Sequence, residues 1–149
     1  MSDTPVFQIE KIYVKDISLE VPHAPHIFLE REAPNIEVQM HSEGSSVDEG
    51  LFEVVLTVTV TAKLAEKTMF LAEVREAGIF QLLNIPAADL DPVLSVACPN
   101  ILFPYARETI SDMVVRAGFP PVLLSPVNFE AMYQQRLATQ APAAEVPIQ

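Results

Sequence analysis

The first half of the chain alternates. Phe7, Ile9, Tyr13, Ile17, Leu19 and Val21 are apolar and stand against Asp16, Ser18 and Glu20. Ile36, Val38 and Met40 then alternate with Asn35, Glu37, Gln39 and His41. The clearest run comes next: Phe52, Val54, Leu56, Val58, Val60 and Ala62 against Glu53, Val55, Thr57, Thr59, Thr61 and Lys63. After a turn near Ala65-Glu66-Lys67, Phe70, Ala72 and Val74 alternate with Leu71, Glu73 and Arg75. Period-two runs rich in Val, Thr and Phe predict half-buried strands. Pro22, Pro25 and Pro34 bracket a connection that is not helical throughout. The polar stretch Ser42–Gly50 reads as a loop.

The second half changes period. Asp89 or Asp91 with Pro92 resembles a helix start, and Pro99 and Pro104 are expected to break or kink the chain beyond it. From Pro104 onward, Tyr105, Ala106, Thr109, Ile110, Met113, Val114 and Ala117 fall at helical spacing, opposite Arg107, Glu108, Ser111 and Asp112. Gly118 suits the residue after a helix, and Pro120-Pro121 forbid continuation. Asn128 is a good N-cap for a second helix carrying Phe129, Met132, Tyr133 and Leu137 on one side. Strands with no long helical insert, succeeded by helices, predict an α+β fold: a four-stranded antiparallel sheet with two C-terminal helices packed on one face. The other face is wet. The chain reads as one domain over 1–149, with 1–5 and 139–149 as flexible tails.

Composition sharpens this picture. Half of the 149 residues are hydrophobic, while charged residues are only 19%, against about 25% in ordinary globular domains. A single small domain has too little interior for that surplus, so the excess belongs to an oligomer interface or to a surface that binds apolar partners. Val74, Tyr105, Ile110 and Met113 are the candidates for the interface between copies. The net charge is −11, which argues against duplex nucleic acid and anionic membrane surfaces as main partners. The segment Met1–Phe7 has neither a basic n-region nor an apolar h-region, and the longest uncharged run, between Asp91 and Arg107, is too short to span a bilayer. A lone Cys98 makes no internal disulfide, which fits a reducing cytosol. A soluble, cytoplasmic protein with no direct membrane insertion is expected.

Candidate chemistry is sparse. Gly44, Gly50, Gly78 and Gly118 build neither phosphate-cradling loop, so no ATP site of its own is expected. His23 and His26 on a Pro-rich loop, with His41 further on, are weak against metal-site spacing, so no metal or other cofactor is predicted. Cys98 sits among Val96, Ala97, Pro99 and Ile101, a setting that keeps a thiol inert. Sheet parity groups Asp16, Glu20, Glu53 and Glu73 on the outer face with Leu71 among them. General acid–base work needs a concave, partly dry site, so this face suits docking or solvent better than catalysis. No enzyme is predicted. Phe28, Met40, Phe129, Met132 and Tyr133 could line a groove for extended apolar peptide, although spacing alone favours ordinary core and interface.

Several longer runs are more specific: Tyr13-Val14-Lys15-Asp16-Ile17-Ser18, Phe52 to Ala62, and Gly78-Ile79-Phe80. The strongest is Cys98-Pro99-Asn100-Ile101-Leu102-Phe103-Pro104-Tyr105-Ala106-Arg107-Glu108, with Pro126-Val127-Asn128-Phe129 after it. With these runs in order, the chain resembles the SecB family of protein-export chaperones from Phe7 to Tyr133. The resemblance implies a homotetramer assembled as a dimer of dimers in the bacterial cytosol, holding unfolded preproteins in apolar grooves without ATP. It also implies delivery to the translocase motor ATPase SecA, with motor-binding positions at Asp16, Glu20, Leu71 and Glu73. Many relatives carry a Trp where this chain has Arg31-Glu32-Ala33-Pro34. Two readings stand beside this one: a carrier or sensor of small hydrophobic ligands, and a thiol enzyme using Cys98.

Overall fold

Strand β3 (Leu51–Leu64) is the centre of the architecture, because its even-numbered residues Val54, Leu56, Val58, Val60 and Ala62 are all buried. It pairs antiparallel with β4 (Lys67–Leu83) on one side and with β2 (Asn35–Asp48) on the other, and β1 (Val6–Glu20) closes the far side of β4. The order is β1-β4-β3-β2, which leaves β1 and β2 as edges. The computed structural model describes residues 4–140.

The sequence pattern misjudges two places here. Ser42 to Asp48 is strand, with Ser42 opposite Leu56, Glu43 opposite Val55 and Asp48 opposite Leu51; the turn itself is Glu49-Gly50, where Gly50 takes φ +74°. An edge strand tolerates polar side chains because its outer margin is wet, and the register of β3 draws it into the ladder. Strand β1 carries register shifts at Glu10 and Lys15. Each shift turns the alternation over. Tyr13, grouped with the core positions by parity, therefore pairs with Ala77 on the outer face, while Phe7, Ile9, Ile12, Val14, Ile17 and Leu19 occupy the inner one.

Helical structure runs almost unbroken through α1 (Ala87–Pro92), a π-helical turn (Val93–Ala97) and α2 (Cys98–Arg116). Neither proline ends the helical run. The π-helical turn, with the Cys98 N–H donating to the Val93 carbonyl, interrupts the α-helical ladder immediately before Pro99, which therefore falls in the first turn of α2. Pro104 forfeits the bond to the Asn100 carbonyl, but both residues are exposed, so the loss leaves no buried carbonyl unpaired. The buried stripe Leu102, Ala106, Ile110, Met113 and Val114 seats α2 on β3 and β4. Gly78 permits that approach: a Cβ there would lie 2.9 Å from Phe80 Cε1 and 3.1 Å from Leu102 Cδ2. The helix ends in a paired cap, with Gly118 N–H donating to Val115 O and Phe119 N–H to Val114 O, and Gly118 takes φ +98°.

Helix α3 (Phe129–Gln140) opens as expected, the Asn128 Oδ1 accepting the Ala131 N–H at 2.9 Å. It outlasts the expected tail boundary, since Thr139 is helical and its hydroxyl donates to the Gln135 carbonyl at 3.0 Å. At the other end the Thr4 carbonyl accepts a bond from Asn84 Nδ2 at 3.0 Å. The remaining tail positions, 1–3 and 141–149, lie outside the described residues.

Candidate client channel and docking face

Helix α2 covers β3 and β4 but not β2, whose inward side chains Ile36 and Val38 stay exposed. Facing them runs the stretch from Phe119 to Asn128, interrupted by Pro120, Pro121 and Pro126 and without regular structure. Its start is fixed by the Phe119 ring, 5.2 Å from Phe28 and 5.0 Å from Phe70, and its middle by buried Leu124. Between strand and segment lies a furrow. A first basin of about 770 Å³ is walled by Phe28, Ile36, Val38, Phe119 and Leu123. A second, of about 470 Å³, shares Val38 and Leu124 and adds Met40 and Met132. The two form one largely apolar channel along the free margin of the sheet, with Glu30, Arg31 and Glu32 also lining the first basin.

The five groove candidates separate into two roles. Phe28 (47% exposed), Met40 and Met132 line the channel. Phe129 and Tyr133 are buried and anchor α3: Phe129 meets Phe103 edge-on at 6.0 Å, and the Tyr133 hydroxyl donates to Asp91 Oδ2 at 2.9 Å. Their remaining surface faces a smaller basin of about 390 Å³ under Met132 and Arg136. Sequence reasoning missed Ile36, Val38, Phe119 and Leu123. Leu123, 78% exposed, was readable as an apolar residue in a proline-rich segment that cannot bury it.

The outer sheet face is ordered in rows across the strands. Glu20 stands beside Leu71, Ser18 beside Glu73, and Asp16 beside Arg75. Asp16, Glu20, Leu71 and Glu73 are thus brought together on one surface. The Thr59 hydroxyl donates to Glu73 Oε2 at 2.7 Å. Glu53 leaves the free acidic set: it accepts the Tyr13 hydroxyl hydrogen bond and meets Lys15 Nζ at 2.9 Å. The Tyr13 bond leads in holding the Glu53 carboxyl below its ordinary range, against the opposing effect of burial, with Lys15 and Arg75 assisting. Burial, and after it Glu53, pushes the Tyr13 phenol up to about 12.

Three of the four interface candidates need correction. Val74, Ile110 and Met113 are buried within the protomer's own core, between sheet and α2, so they present no surface to a second copy. Helical and strand periodicity identified their apolar face correctly, but one chain already covers it. Tyr105, 51% exposed, remains available. An uncovered apolar surface away from the channel lies instead along the inner margin of β1, where Phe7, Ile9, Val14 and Ile17 are each 41–47% exposed. Cys98 is buried, and burial pushes its thiol up to about 12, which leaves it poorly nucleophilic at neutral pH. Among the described residues no group of three His, Cys, Asp or Glu side chains is arranged to hold a metal.

The family profile described as "Preprotein translocase subunit SecB" matches residues 1–140. The chain belongs to the SecB family. Among SecB relatives, the protein-export protein SecB of Chromobacterium violaceum is 70% identical over 139 residues, covering 93% of each chain. That of Dechloromonas aromatica is 64% identical over 149 residues, covering 99% of this chain and 98% of the relative. The SecB fold appears again in the Rv1957 SecB-like chaperone of Mycobacterium tuberculosis, solved in complex with a ChAD peptide from the Rv1956 HigA1 antitoxin. That structure matches with a TM-score of 0.65 at 18% identity, covering 81% of this chain and 87% of its own. This SecB-family chain is a protein-export chaperone, and no helix among its described residues is long and apolar enough to cross a membrane.

Proposed function

We propose that the chain is a cytoplasmic holdase that works without ATP. It keeps preproteins unfolded in the channel beside β2 and delivers them to the SecA motor through the outer sheet face. The observation that carries the client reading is the channel itself: largely apolar, open to solvent, and bounded by a sheet margin and a segment poor in backbone donors. An extended chain fits such a furrow. An enclosed cavity would suit a compact hydrophobic ligand better. Exposed aromatic, aliphatic and Met side chains accept many sequences, because apolar contact is non-directional.

For the motor, Asp16, Glu20 and Glu73 form an acidic rim around Leu71 that complements a cationic partner. Assembly as a homotetramer, a dimer of dimers, covers the β1 margin and the exposed side of α2 that a lone protomer leaves wet. Capture is tested by titrating an unfolded preprotein against wild type and Val38→Glu, with mass measured on the same samples. Val38 is exposed, so the variant is expected to fold normally and to lose client affinity at least about tenfold, since a charged group desolvated against an apolar chain is costly. Equal affinity overturns the channel assignment.

A further inference from the structure

Glu76 is a carboxyl group in the wrong place for an ordinary surface acid. It projects from the inner side of β4 with 3% of its surface exposed, and its Oε1 has no hydrogen-bond partner. On either side in the sheet stand apolar residues, Val14 on β1 and Leu56 on β3, and the same face of β4 continues into Val74 and Gly78. From above, α2 contributes Glu108, a second negative charge. Arg107, next to Glu108 in sequence, is engaged over the Phe103 ring at 5.3 Å. Tyr13, Lys15 and Arg75 belong to the opposite face, and none of the ion pairs among the described residues includes Glu76.

We propose that Glu76 is a proton-controlled latch between the sheet and α2: the folded protein holds it as the neutral acid, and ionisation above neutrality loosens the seating of α2. A buried carboxylate with an unserved oxygen, facing a like charge, opposes close packing, whereas the neutral acid removes the like-charge repulsion and lowers the cost of burial. Burial, and after it the Glu108 charge, raises the group from 4.5 to about 7. Between those values an unfolded chain has already lost the proton that the folded chain keeps. Stability therefore falls as pH rises through this interval and stays at the lower level above it. Val14, the cross-strand neighbour of Glu76, is part of the exposed β1 margin. In a second clause, which rests on the assembly proposed above, covering that margin desolvates Glu76 further. Association then weakens above neutrality by about tenfold per pH unit for each proton taken up on assembly.

The test uses the full chain and compares wild type, Glu76→Gln and Glu108→Gln by urea midpoint and solution mass from about pH 5 to about pH 8.5. The latch predicts a falling wild-type midpoint up to about pH 7, no fall over that interval in Glu76→Gln, and a fall shifted to lower pH in Glu108→Gln. Parallel profiles in wild type and Glu76→Gln overturn it. Carbon-13 titration of glutamate carboxyls in wild type is independent of any variant's folding. One carboxyl titrating near neutrality supports the latch, and all of them titrating in the ordinary range refutes it. A mass unchanged with pH overturns the association clause alone. A wild type that is monomeric throughout overturns the assembly reading, while the midpoint still judges the latch.

Discussion

Which carboxylates on the outer sheet face carry free charge is decided residue by residue. Glu53 lies among them in the pleat, yet Tyr13 and Lys15 occupy its oxygens. Sequence parity could not foresee this, because the shift at Glu10 is what turns Tyr13 outward. The folded pKa of Glu53 is depressed, so its contribution is complete above the ordinary carboxylate value and disappears as pH falls through the lower, folded one. Tyr13→Phe removes the leading cause of that depression. The variant should lose about 1.5–3 kcal/mol near neutral pH, the usual worth of a hydrogen bond to a charged group, and its acid unfolding should begin at higher pH. Far-UV circular dichroism during acid titration reads the shift. An acid transition coincident with wild type would show that Lys15 holds Glu53 unaided.

At the scale of elements, most of the architecture was legible because the strongest signals are periodic. Strand β3, the buried stripe of α2, the Gly118 cap and the Asn128 cap all arise from side-chain spacing and local backbone chemistry. The illegible parts depend on partners distant in sequence. Ser42–Asp48 carries no strand signal of its own and is drawn into the ladder by β3. Pro104 is tolerated because its side of α2 is wet, which depends on where the sheet lies. The channel was half legible for the same reason. Met40 and Met132 were apolar and periodic, but Phe119 and Leu123 gain their role from a segment that has no period at all. Among the long-range contacts that seat α2 on the sheet is the close approach of Gly78 beneath Leu102. Gly78→Ala forces Leu102 and the Phe80 ring to move by several tenths of an ångström in a packed core. It should cost about 1–3 kcal/mol, seen as a lower urea midpoint with unchanged slope. A midpoint equal to wild type would mean that the Phe80 ring and Leu102 give way without cost and that Gly78 is not required for the packing of α2.

For the whole molecule, the decisive arrangement is that β1 turns one surface to each of two proposed partners. Its inner margin carries Ile9, Val14 and Ile17 for a second copy, and its outer side carries Asp16 and Glu20 for the motor. The two should be separable by mutation. Ile17→Glu, on the exposed margin, should dissociate the assembly while each protomer stays folded, whereas Ile110→Glu, with its side chain inside the protomer, should unfold it. Mass and circular dichroism on the same samples distinguish the two outcomes, and a fully associated Ile17→Glu variant would move the interface elsewhere.

On the outer side the acidic rim is not uniform, because Arg75 stands directly beside Asp16 and two residues along β4 from Glu73. A cationic docking surface must approach that guanidinium as well as the carboxylates. Long-range attraction between surface charges falls with salt, and each rim charge acts chiefly on the rate of encounter. Asp16→Ala, Glu20→Ala and Glu73→Ala should each weaken the proposed motor contact without affecting the mass of the assembly or client capture. Arg75→Ala should do the opposite, raising the association rate by about twofold or more at low salt and losing that advantage at high salt. Leu71→Ala should instead act on dissociation, since a desolvated anchor contributes once the surfaces have met. Stopped-flow association at two salt concentrations separates these effects. If Arg75→Ala binds more slowly, the motor presents an acidic group to this position, and the assignment of a purely cationic partner surface is wrong.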